Sequence, residues 1–149
     1  MKQMYKALFR LDDFCRENEI TYALTGTFAL QMLGIPSSVG DIDIIVFGLT
    51  AEQKQNLNML EHLSCLEKES YENGNCYSFM VDGNKVNAII DKSNDYQAFK
   101  EDSVLVDFPN MYRCIRVHKV YPALKAKMKL ARPKDKTFML DLISKLASL

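Results

Sequence analysis

Two aspartates, Asp41 and Asp43, stand one residue apart at the head of an apolar run, Ile44-Ile45-Val46-Phe47. On a strand, residues i and i+2 face the same way, so both carboxylates project from one face. Adjacent like charges are costly unless a cation lies between them. Hard divalent ions such as magnesium take oxygen ligands of this kind and often complete their shell with substrate phosphates. Acidic pairs at strand ends also occur as solvated surface, so the pair alone is weak evidence. Ahead of it in the chain, Gly26-Thr27 closes a strand-like run and opens a helix-like one. A glycine there lets backbone N–H groups approach an anion, a helix N-terminus favours negative charge, and the Thr27 hydroxyl can donate to a phosphate. The plainer alternative is a turn glycine followed by an N-cap threonine. Together, a phosphate cradle and a metal pair fit one substrate: a nucleoside triphosphate with its magnesium.

The elements that must position these residues follow from periodicity and turn chemistry. Met4, Leu8, Leu11 and Cys15 recur at helical spacing, which predicts a helix over residues 2–18. Ile20 to Leu24 is strand-like, and Phe28 to Leu33 reads as a short helix ended by Gly34 and Pro36. Asp41 to Phe47 reads as a buried strand. Thr50 and Gln53 have the spacing of a capping box, predicting a helix from about Ala51 to Ser64. Cys76 to Val81 and Lys85 to Ile90 form a hairpin around Asp82-Gly83-Asn84. Val104 to Val106 and Met111 to Val117 add further strand. Val120 to Ala131 is helical, and Pro133 opens a last helix whose stripe is Phe138, Met139, Leu142, Ile143 and Leu146. The expectation is a single α/β (α+β) domain over residues 1–149, a mixed sheet flanked by helices, helical from about residue 118 onward.

Composition bounds the function classes. With 149 residues, 48% apolar and 26% charged, the chain has the size and balance of one globular domain, which excludes wholesale disorder. Nineteen basic side chains equal nineteen acidic ones, so no overall pull toward nucleic acid or anionic lipid follows. The distribution is uneven. From Arg113 to Lys136 nine basic residues face one acid, Asp135. Such a surface suits a triphosphate, RNA or an acidic partner, or is simply solvated helix; here Lys127 is expected to point away from Lys125 and Lys129. The absence of an apolar leader, of a spanning run and of paired cysteines predicts a cytoplasmic, non-membrane protein with reduced thiols. His62 and His118 are expected to be solvated, and the methionines, including Met128 and Met139, to fill core. No P-loop or dinucleotide fingerprint is present.

The Gly26 turn, the thirteen residues between Thr27 and Asp41, and the Asp-hydrophobic-Asp run Asp41-Ile42-Asp43-Ile44-Ile45-Val46 resemble the nucleotidyltransferase superfamily, especially its minimal and abortive-infection-type bacterial members. Gly83 to Ile90 resembles the segment that carries the family's third carboxylate. Lys127 to Asp135 is similar to its R-x-K-D stretch, so the resemblance spans nearly the whole chain. It implies a nucleotidyltransferase-like sheet, Mg²⁺ or Mn²⁺ held by Asp41 and Asp43, and phosphates held by Gly26 and Thr27 with Lys129, Arg132 and Lys134. It further implies transfer of a nucleoside monophosphate to an acceptor hydroxyl on a small molecule, a tRNA or a protein. Three departures stand out: Thr27 for the usual Gly or Ser, Phe138 for a second acid, and Asn87 in place of the third carboxylate. An asparagine offers one neutral oxygen and cannot take the proton of an attacking hydroxyl, help that is typically worth about 10²–10⁴ in rate. Asp91 shares a face with Asn87 but lies roughly 13 Å along the strand at about 3.3 Å per residue. The rival reading is therefore a catalytically silent relative that binds nucleotide, RNA or a protein partner, as in a toxin–antitoxin-like pair. At this length an acceptor surface is expected from a partner or a second copy.

Overall fold

The computed structural model describes residues 2–53, 55–56, 68–71, 74–130 and 133–147. In chain order its elements are α1 (Lys2–Glu17), β1 (Thr21–Thr25), α2 (Gly26–Met32), β2 (Ile42–Phe47), β3 (Lys68–Tyr71), β4 (Gly74–Val81), β5 (Asn84–Asp91), α3 (Tyr96–Glu101), β6 (Ser103–Phe108), β7 (Arg113–His118), α4 (Val120–Leu130) and α5 (Pro133–Ala147). The strands form one seven-stranded mixed sheet in the order β3-β4-β5-β2-β1-β7-β6. β2 runs parallel to β5 and β1 parallel to β7; the other neighbours are antiparallel.

Alternation along the central strands divides the sheet into two faces. Ile42, Ile44 and Val46 of β2, Val86, Ala88 and Ile90 of β5, and Leu24 of β1 enter the main core beneath α1 and α2. The intervening residues point the other way. There Ala23 and Ile45 pack with Phe99 of α3 in a smaller cluster bordered by Phe47 and Ile89. The helix α1 buries Met4, Ala7, Leu8, Leu11 and Cys15, the spacing its sequence predicts. Arg113 joins β7 to α1 by ion pairs to Asp12 (3.0 Å) and Asp13 (2.8 Å). Buried Asp12 also accepts from Tyr22 and Arg16.

Local signals are realised with few shifts. Asp82 and Gly83 both have positive φ, 49° and 78°, the pair that a two-residue hairpin turn matching strand twist demands. Thr50 and Gln53 form the reciprocal capping box, and residues 51–53 are helical. Most of that predicted helix, with His62, lies outside the described residues. Three expectations are corrected. The helix α2 begins at Gly26, two residues early, because the backbone turns directly from strand into helix. The strand β3 and the helix α3 were not expected; α3 carries Asp95 as its N-cap, accepting from Ala98 N at 3.0 Å. The stripe on α5 is interrupted: Leu142 is buried but Ile143 is exposed, and Met128 on α4 is likewise exposed rather than core.

Candidate functional site

Asp43 sits at the register crossing of three strands, opposite Thr25 of β1 and beside Asn87 of β5. Asp41 immediately precedes β2, two residues back on the same face. The two carboxylates converge on one group: Asn87 Nδ2 donates to Asp43 Oδ1 at 2.9 Å and reaches Asp41 Oδ2 at 3.5 Å. An ionised carboxylate only accepts hydrogen bonds, so the donor end of the amide must face the pair. The other end is held as well, since Ser78 Oγ donates to Asn87 Oδ1 at 2.8 Å. Ser78 and Asn87 are cross-strand partners, and both are buried. Asp91 lies at the opposite end of β5, beside Phe47, and caps the turn at Ser93. The β5 residue beside Asp43 is thus Asn87, and Asp91 does not come near it.

Gly26 closes the site from β1. Its φ is +70°, and a Cβ built there would lie 2.5 Å from Asp43 Oδ2. The glycine thus serves a left-handed turn and leaves room for the aspartate. With a carboxylate against the turn, a phosphate can approach only if a cation shares the space. Thr27, half-buried in the first turn of α2, accepts through its backbone carbonyl from Ser37 Oγ at 2.9 Å.

Cations arrive from the C-terminal helices. Lys134 Nζ is 3.6 Å from Asp41 Oδ2, with its side chain 57% exposed. Lys129 belongs to α4 by its backbone, but its side chain and Arg132 lie outside the described residues. Lys127 lies on the other side of α4 from exposed Lys125, as helical spacing predicts. It is buried, 3.4 Å from buried Asp135 and over the Phe138 ring at 4.7 Å. Lys127 lines a small cleft with Thr25, Gly26, Asp43, Ile89, Ala123 and Ala126. The signal for its burial was spacing: it follows buried Ala123 by one helical turn. His118 contradicts expectation. It is buried at the end of β7 with Nδ1 2.9 Å from Thr25 Oγ1, on the strand residue that leads into Gly26. Burial lowers its pKa, opposed by the charges of Asp102 and Asp91.

Among the described residues no group of three or more His, Cys, Asp or Glu could hold a metal ion. The two carboxylates offer oxygen ligands of the kind one Mg²⁺ takes together with phosphate oxygens and water, while Asn87 turns its N–H groups toward them. These carboxylates do not fit a pair of metals, which needs the missing third carboxylate. None of the described helices is long and apolar enough to cross a membrane.

No family model matches the chain, and no curated protein matches it in sequence. Solved structures do. A candidate nucleotidyltransferase from Thermotoga maritima superposes with a TM-score of 0.61 at 17% identity, over 97% of this chain and 95% of that one. An antigenic nucleotidyltransferase-like protein from Paracoccidioides brasiliensis aligns at a TM-score of 0.46 and 16% identity, over 95% of this chain and 73% of that one. The first superposition, at near-complete coverage of both chains, shows that the mixed sheet and its flanking helices have a nucleotidyltransferase-like fold.

Proposed function

We propose that the protein binds a nucleoside triphosphate together with one Mg²⁺ at the Gly26–Asp41–Asp43 edge, and transfers the nucleoside monophosphate slowly to an acceptor hydroxyl. The observation that carries this reading is the register: Asp43 lies between Thr25-Gly26 on one side and Asn87 on the other. Acid pair and glycine bend therefore meet at one point, which their distance in sequence does not require.

In this reading Asp41 and Asp43 hold the cation. When bound, it would offset charge on the transferring phosphorus and on the pyrophosphate leaving group. Gly26 lets the polyphosphate lie close to the backbone. Lys134, 3.6 Å from Asp41, faces the acid pair and serves the phosphate oxygens, while Lys127 lines the cleft beside Gly26 and Asp43. Asn87 cannot accept the proton of the attacking hydroxyl, so that proton passes to solvent or to the acceptor's own groups, and turnover is slow.

The second reading, a module that binds nucleotide without transferring it, is favoured by one feature. The residue beside Asp43 on β5 is the amide Asn87, which cannot take up the proton of an attacking hydroxyl. Calorimetry with Mg²⁺ and each triphosphate tests binding, and Asp41→Ala is expected to abolish it. Transfer of label from the α-phosphate then separates enzyme from module. Asn87→Asp is expected to raise turnover by about 10²-fold or more, the low end of general-base assistance. No binding by the unaltered protein would refute the proposal; binding with no transfer in either protein would leave only the module.

A further inference from the structure

Ser78 and Asn87 are buried partners across β4 and β5, behind the two carboxylates. Among the described residues, two groups already stand where a divalent cation would enter between Asp41 and Asp43. One is Lys134, 3.6 Å from Asp41 and more than half exposed, which can swing into water at little cost. The other is the Asn87 amide, whose N–H groups point at the space the cation needs. Asn87 is 3% exposed and held in a central strand, so it cannot leave. It can rotate.

A half-turn about its terminal side-chain bond exchanges Oδ1 and Nδ2 with almost no change of shape. Whether the exchange is tolerated depends on the partner behind it. Ser78 now donates its hydroxyl hydrogen to Oδ1 at 2.8 Å. A hydroxyl both donates and accepts, so the same oxygen can accept from Nδ2 after the rotation. Both orientations are then hydrogen-bonded, as burial requires.

We propose that Asn87 and Ser78 form an amide switch. Without metal the amide nitrogen donates to the carboxylates; with metal the amide inverts, and Oδ1 becomes the third, uncharged ligand. Ser78 is the positioning residue that stabilises both states. The inference rests on the reading that Asp41 and Asp43 hold a cation, and it assigns to this chain a way of using asparagine where a carboxylate is missing.

The test uses the full chain with Mg²⁺ alone, no nucleotide, following affinity by calorimetry and the Asn87 side-chain amide by nitrogen NMR. Mg²⁺ is expected to move both Asn87 N–H resonances, as both leave the carboxylates and one of them turns to the Ser78 hydroxyl. Ser78→Ala leaves a buried N–H orphaned only in the metal-bound orientation, and orphaned N–H groups are less tolerated than under-bonded carbonyls. Its Mg²⁺ affinity is expected to fall about 10-fold, the low end for partners that orient a ligand, while Ser78→Thr restores it. Asn87→Leu, which removes donor and acceptor together, is expected to weaken Mg²⁺ binding at least as much. Mg²⁺ binding that Asp43→Asn abolishes, with unmoved Asn87 resonances and equal or tighter binding in Asn87→Leu, overturns the switch and leaves the metal reading intact. No binding of Mg²⁺ alone by the unaltered protein overturns the switch, and no binding of Mg²⁺ with a triphosphate overturns the metal reading as well.

Discussion

Gly26 and His118 bracket the candidate site from opposite sides of Thr25, and each makes a residue-scale demand. At φ +70° an L-residue is strained by about 1–2 kcal/mol. Gly26→Ala adds a contact with Asp43 Oδ2 to that strain. Its expected outcome is a loss of at least about 1–2 kcal/mol in denaturant unfolding, with weaker Mg²⁺–nucleotide binding because Asp43 is displaced. Unchanged stability and binding would remove Gly26 from the site. His118 is buried beside Thr25, and its folded pKa lies below the ordinary 6.5. Below that pH the unfolded chain takes up a proton that the folded chain still refuses, so the unfolded state binds more protons and stability falls as pH falls. The loss begins near pH 6.5 and levels off below the folded value. Thermal melts through that range are expected to show the slope in the native protein and a shallower one in His118→Gln. Parallel slopes would mean that other groups carry the dependence.

At the scale of elements, α4 and α5 are joined by a buried ion pair rather than by apolar packing alone. Lys127 and Asp135 have side chains only 9% and 1% exposed, and Phe138 covers the ammonium. Removing one partner strands the other charge in a dry setting. Asp135→Ala is therefore expected to cost about 3–5 kcal/mol, while the double replacement Lys127→Met with Asp135→Leu recovers most of it. Unfolding curves of the three variants decide the matter: a mild single loss would mean that water reaches Lys127. The same helix pair carries Lys134 to Asp41, so α5 links the stability of the C-terminal helices to the charge balance of the site. Exposed Ile143 and Leu140 on α5 mark the side that this pairing leaves outward.

Across the whole molecule, what could be read from the residues in order was whatever a local rule governs. Period-two alternation puts Asp41 and Asp43 on one face. Asp82-Gly83 supplies the two positive φ angles of the β4–β5 turn, and the helical spacing of Met4, Leu8, Leu11 and Cys15 specifies the buried side of α1. The likeness of the Gly26 turn and the acid pair to nucleotidyltransferases pointed to the right fold for a related reason: both motifs are short and their geometry is local. His118 was misplaced because burial depends on distant neighbours, and the depth of Lys127, which helical spacing does turn away from Lys125, has the same cause. His118 is enclosed by its bond to Thr25, and Lys127 by Asp135, Phe138 and the cleft beside Gly26. The orientation of Asn87 also belongs to tertiary structure. Its place beside Asp43 follows from the parallel register of β2 and β5, two strands far apart in the chain. Its amide direction follows from carboxylates on one side and Ser78 on the other. The amino-acid order alone determined which groups are present and which way each strand turns them; only the assembled sheet decided which groups meet, because contact between remote segments is set by packing and register, not by spacing.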